Sequence, residues 1–291
     1  MEPIKNTDLL INPDGSIYHL CLKPEQLADT VIVVGDPDRV PEISYYFDRV
    51  DSVVRNREFV THTGICNRKP VTVLSTGIGT DNIDIVMNEL DALANVNLVT
   101  RRLLPGHRSL DIIRIGTSGA IQPDIPVNSI ALSTFGLGLD NLLHFYEGEK
   151  TLEEADIEQA FIRHTSWNHM LSRPYFVRAS DRLLKRFDAG TVRWITATAP
   201  GFYGPQGRVI RLALSDPRMI EKIMTFRFGE ERIINFEMET SALYGLGRLM
   251  GHETITVCAL IANRITNEYC IEHKPVIKRL VEMVLERIAH D

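Results

Sequence analysis

Apolar and polar positions fall in blocks along this chain, and the blocks change period. Short β-branched or apolar runs at residues 31–34, 71–74, 112–115, 129–132, 191–196 and 254–261 predict strands. Between and after them, apolar residues recur at helical spacing over residues 82–94, 215–226, 239–250 and 275–289. Asp38 is placed to N-cap a shorter helix at 39–46, and residues 151–164 read as an acidic-start surface helix. Residues 59–66, a turn at 67–70 and residues 71–75 predict a hairpin, while RRLLPGHRS at 101–109 reads as a loop. Strands alternating with helices argue for an α/β fold, a three-layer α/β/α sandwich around a central mixed sheet.

Composition narrows this picture. No Pro/Gly/Ser linker or charge run divides the 291 residues, so a single domain is expected. Hydrophobic residues make up 44% and charged ones 24%, enough for a full core. With 32 basic against 38 acidic residues the net charge is −6, which argues against a general nucleic-acid binder. No apolar stretch approaches the ~18 residues of a membrane span, and the start MEPIKNTD lacks a signal-peptide core, so a cytoplasmic protein is expected. Four widely spaced cysteines without a Cys-x-x-Cys pair, and nine histidines without an HExxH pattern, predict neither a disulfide framework nor a metal site.

The candidate chemistry begins at IRIGTSGAI, residues 113–121. Arg114 interrupts an apolar strand, and Gly116, Thr117, Ser118 and Gly119 follow at once, giving a cation, hydroxyls and open backbone N–H groups at a strand end. A second site of this kind follows the strand at 31–34, where Gly35 and Arg39 stand in GDPDRV. Ligands of open α/β sheets bind beyond the carboxyl ends of strands, and two strand-end arginines suit a shared phosphate.

These segments belong to a longer series: YHL at 18–20, GDPDRV, REF at 57–59, STGIG at 75–79, RIGTSGAIQ, FYGPQGR at 202–208, NFEMET at 235–240, and NR at 263–264. In this order they resemble the uridine phosphorylases of the nucleoside phosphorylase I family. The resemblance thins between residues 136 and 193. It implies a partly barrel-like central sheet, with nucleoside and phosphate as substrates and no cofactor. It also implies Gly35, Arg39, Arg57, Arg114 and Thr117 as the phosphate site, and His19, Thr117, Glu237, Met238 and Glu239 as the ribose site. The base site would be Ser118, Gly119, Phe202, Gln206, Arg208 and Arg264, with Arg114, Arg208, Gln206 and Glu239 carrying the catalysis. His19 and Arg57 match residues that this family contributes from the neighbouring subunit, so a homo-oligomer with a site shared across a two-fold dimer is expected. Some relatives hold a monovalent cation at that interface; Glu58 and Ile78 match its site, but Asn82 stands where a serine is expected.

The base loop is the most discriminating feature. An amide both donates and accepts, matching the O2 and N3–H edge of uracil, while an arginine only donates, matching O4. Purine-cleaving relatives carry an aspartate near the end of the 254–261 strand, and this chain has Asn263 and Arg264 there. Uridine is therefore the first expectation, with 2′-deoxyuridine and thymidine behind it. The alternatives are a purine nucleoside phosphorylase, a nucleosidase using water, or a silent nucleoside binder, and the phosphate arginines weigh against the last two. GIGTDN lacks the third glycine of a dinucleotide motif, and GTSGA is no nucleophile elbow.

Overall fold

The run TVIVV forms strand β1 (Thr30–Val34), and its last four residues are buried whichever face they point to. A strand apolar on both faces must be covered by helices on both sides. The computed structural model describes residues 2–290. In chain order the remaining elements are α1 (Arg39–Ser44), β2 (Arg49–Asn56), β3 (Phe59–Cys66), β4 (Lys69–Ser75), α2 (Thr80–Asn95), β5 (Val96–Asn97), β6 (Arg102–Leu103), β7 (Asp111–Ala120) and β8 (Ile130–Gly138). Then come α3 (Leu152–Thr165), β9 (Tyr175–Arg178), α4 (Asp181–Phe187), β10 (Val192–Thr198), α5 (Met219–Thr225), β11 (Arg227–Phe228), β12 (Glu231–Glu237), α6 (Thr240–Leu249), β13 (Glu253–Asn263), β14 (Glu268–Tyr269) and α7 (Lys274–Ala289).

The main sheet runs β11-β12-β10-β8-β13-β7-β1-β4-β3-β2, and β12 pairs additionally with β7. That second pairing closes β7, β13, β8, β10 and β12 into a barrel-like ring, from which β1 to β4 extend as an open sheet. Strand β7 pairs in parallel with both β1 and β13, so the carboxyl ends of all three point the same way. This is the mixed, partly barrel-like α/β architecture expected.

Several elements depart from the sequence pattern for physical reasons. The strand expected at 112–115 continues to Ala120, so GTSGA is strand rather than loop. Strand β8 runs on through Ser133, Thr134, Gly136 and Gly138, all buried. Its glycines are required because a Cβ at Gly138 would lie 2.1 Å from the Tyr175 ring and one at Gly136 2.8 Å from the Ser241 backbone. Asp38 does not cap α1 with its side chain; instead Asp36 Oδ1 accepts the Asp38 N–H at 3.0 Å, and the helix ends at Ser44. Helix α5 starts only at Met219, after the Asp216-Pro217 turn. The hairpin turn is two residues, Asn67 and Arg68, with φ of 48° and 65°. Its exposed edge partner β2 escaped the pattern because its residues are mostly polar or half-exposed. The 101–109 loop contains β6, paired with β5.

Helix α3 lies at the surface but buries one face. Thr151 and Glu154 form its capping box, and Ile157 and Phe161 are buried. Glu154 and Glu158 are buried too: Glu154 pairs with Arg248 and Glu158 with Lys150 and Arg173.

Candidate active site

The carboxyl ends of β1, β7, β12 and β13 open into one cavity of about 830 Å³, within the range of small-ligand sites. Its walls include Gly35, Arg39, Arg114, Thr117, Ser118, Gly119, Phe202, Gln206, Arg208, Glu237, Met238, Glu239 and Arg264. Residues 35 to 264 thus converge on one space. A more apolar neighbouring cavity of about 790 Å³ meets it only at Arg208 and contains neither strand-end arginine.

Arg114, 4% exposed, sits at the centre of the polar floor. Its Nη2 donates to Glu239 Oε2, and its Nη1 lies 3.3 Å from Glu237 Oε2 and 3.4 Å from Cys258 Sγ. Burial opposes its charge, but the two carboxylates outweigh it and hold the guanidinium firmly protonated. Glu237 is tied down by other donors: Oε1 accepts the Thr198 hydroxyl at 2.6 Å, and Oε2 accepts the N–H groups of Glu239 and Thr240, both at 2.9 Å. It therefore anchors the start of α6. Glu239 accepts the Gly79 N–H at 2.8 Å, which brings the GIG loop to the site. Burial and the neighbouring Glu237 raise its carboxyl above the usual range, against the opposing pull of Arg114.

Three further arginines line the cavity without a carboxylate in ion-pair range among the described residues. Arg39 is half-buried with no hydrogen bond or ion pair among the described residues, and burial lowers its pKa. Arg208 donates to the Phe202 carbonyl at 2.7 Å and to Gln206 Oε1, and stacks over the Phe202 ring at 3.8 Å. Burial, with a smaller push from Arg264, brings its pKa down to about 10. Arg264 binds the backbone carbonyls of Gln206 and Gly207. Uncompensated cations in a partly buried cleft make a site for an anion, or for charge that develops in a reaction.

A family model described as the phosphorylase superfamily matches residues 29–288. The chain belongs to this superfamily. It is 31% identical to uridine phosphorylase of Thermococcus kodakarensis, over 88% of this chain and 80% of that protein. It is also 31% identical to uridine phosphorylase of Escherichia coli K12, over 87% of this chain and 88% of that one. Its fold superposes on a Trypanosoma brucei nucleoside phosphorylase, described as showing uridine phosphorylase activity, with a TM-score of 0.90 at 29% identity, covering 98% of this chain and all of the other.

Two expected site residues of this superfamily member lie outside the cavity. Arg57, at φ 54° beyond the end of β2, is exposed and stands over the Tyr18 ring at 5.7 Å. His19 is held by Glu89 at 2.6 Å, and its carbonyl accepts the Asn56 amide at 2.8 Å. The two form one separate cluster. Ser118 is present in the cavity and accepts from Asn235 at 2.9 Å. Of the residues matched to the interface cation site, the Asn82 amide donates to the Ile78 carbonyl at 3.4 Å.

Asn263 is 1% exposed, and its amide is fully occupied. Nδ2 donates to the carbonyls of Gln122 and Ile125, both at 2.8 Å, and Oδ1 accepts the N–H groups of Ile265 and Thr266. It fixes the turn that delivers Arg264. Residues that sequence reasoning missed are Cys258, inside an apolar strand, and Tyr269, brought to the cavity by the β14 pairing. Among the described residues one group has metal-ligand proximity, Asp91, His107 and His252, within 4.8 Å. The Leu110 N–H donates to His252 Nδ1 at 3.2 Å, which leaves the ring proton on Nε2, facing Asp91 at 3.4 Å. A protonated ring nitrogen is not a metal ligand.

Proposed function

We propose that this chain catalyses the reversible phosphorolysis of uridine to uracil and ribose 1-phosphate. The carrying observation is the single cavity in which the strand-end arginines, the Glu239 carboxylate and the Gln206–Arg208 pair meet. Phosphate sits on Gly35, Arg39, Arg114 and Thr117, and one of its oxygens attacks the anomeric carbon as the glycosidic bond breaks. Glu239 accepts hydrogen bonds from the ribose hydroxyls while Met238 packs against the sugar. The bonding electrons leave with the base, whose negative charge spreads over the uracil oxygens and is met by Arg208 and Gln206, with Phe202 as the aromatic wall. The released uracil anion then takes a proton from water. The fully engaged Asn263 side chain supports a pyrimidine base, since it offers no proton to a purine.

The separate His19–Arg57 cluster supports a site shared between subunits of a two-fold dimer, each chain lending these residues to its partner's cavity. The test is phosphate dependence. Purified protein should release uracil from uridine only when phosphate is supplied, with ribose 1-phosphate formed in equal amount. Equal release in phosphate-free buffer would mean that water is the nucleophile.

A further inference from the structure

Cys258 has no part in the subsites above, yet it touches the arginine on which they turn. It lies on β13 opposite Gly116 of β7, fully buried, with its sulfur 3.4 Å from Arg114 Nη1. Thr256 is the register partner of Arg114, so Arg114, Gly116 and Cys258 share one face of the sheet. Gly116 is what makes the arrangement fit. A Cβ there would come within 2.2 Å of Arg114 Nη1 and 2.8 Å of Cys258 Sγ. The guanidinium therefore lies across a missing side chain, bounded by sulfur on one side and by the carboxylates of Glu237 and Glu239 on the other.

We propose that Cys258 is a positioning residue for phosphate binding, its sulfur holding the Nη1 edge of Arg114 over Gly116. This rests on the reading of Arg114 as a phosphate ligand. A sulfur suits the task because it accepts a hydrogen bond weakly and adds no charge. Burial pushes the thiol up to about 11, so it stays neutral at physiological pH. A third carboxylate at this position would cancel the charge that the anion needs. A purely apolar side chain would leave the Nη1 edge held by Glu237 alone.

The experiment compares Cys258→Val, which fills the space without an acceptor, with Cys258→Ser, which keeps the acceptor. Steady-state kinetics are measured with each substrate varied against saturating amounts of the other. Cys258→Val should raise the phosphate KM about three- to tenfold, as expected for losing one hydrogen bond, while the uridine KM stays within about twofold. Cys258→Ser should stay within about twofold of the parent for both. Should the valine variant fail to fold, Cys258→Ala carries the same expectation. An unchanged phosphate KM in the valine or alanine variant overturns the proposal, as does an equal rise in both KM values that serine does not restore. Arg114→Gln separates the two levels: if it too leaves the phosphate KM unchanged, the assignment of Arg114 itself fails.

Discussion

Arg114 and Glu239 form a buried ion pair at the boundary between the proposed phosphate and ribose subsites, each side chain only 5% exposed. Each needs the other, because an unpaired charge at that depth is expensive. Arg114→Ala should therefore act twice. Turnover should fall roughly 100-fold or more if the guanidinium stabilises charge in the transition state. Stability should drop by about 3–5 kcal/mol, because Glu239 and Glu237 are left facing each other. Kinetics and chemical denaturation on the same preparation check both.

The raised carboxyl of Glu239 sets the sign of a pH effect. A folded-state value above the unfolded one means that the folded protein binds the proton more tightly. The contribution to stability is then complete below the ordinary glutamate value of about 4.3 and is lost as pH rises through the raised value. Glu239→Gln carries no charge at any pH. The melting temperature of the parent relative to this variant should decline as pH rises from about 4 toward neutrality. A parallel pair of curves would refute the shift.

Base specificity follows from Gln206 and Arg208. A purine would leave both groups partly unpaired, and sites built to hydrogen-bond their substrate reject mismatched ones by about 10⁴-fold or more. Uridine should exceed inosine by orders of magnitude in kcat/KM, and cytidine should be poor because its 4-amino group is a donor facing a donor. Asn263→Asp should not confer purine cleavage. It should destabilise the protein by about 1–3 kcal/mol, because a carboxylate cannot donate to the Gln122 and Ile125 carbonyls. Parallel assays on the three nucleosides decide the matter.

The proposed sharing of the site between subunits predicts complementation. Arg57→Ala and Arg208→Ala subunits should each be nearly inactive alone. After mixing and subunit exchange, activity should return in part, because one of the two sites in a mixed dimer carries both parent residues. No recovery after demonstrated exchange would mean that each site belongs to one chain.

Much of this site was legible without coordinates. The strand ends at 34–39 and 113–119, the NFEMET segment and the FYGPQGR loop could be read because strand-end glycines, buried arginines and paired carboxylates each carry a local signature. They mark the cavity wall that the fold assembles. The misreadings have a common cause. Residues 116–120 and 133–138 look like loop because they are small or polar, but neighbouring strands bury them, and local composition does not register what lies across a sheet. Glu154 and Glu158 misled in the opposite direction, since their partners Arg248, Lys150 and Arg173 are distant in sequence or lie outside the helix.

The sequence by itself determined which chemical groups this protein has and that they stand at strand ends, because periodicity and turn chemistry act over a few residues. Only the tertiary structure decided which of them meet. The parallel register of β7 and β13 sets Cys258 beside Gly116 and Arg114, and the β12–β7 pairing closes the ring that brings Glu237 and Glu239 onto the same guanidinium. It also separated His19 and Arg57 from the cavity and turned Asn263 inward to hold a turn. Those outcomes depend on contacts between residues 37 to 144 positions apart, which packing fixes and local sequence does not encode.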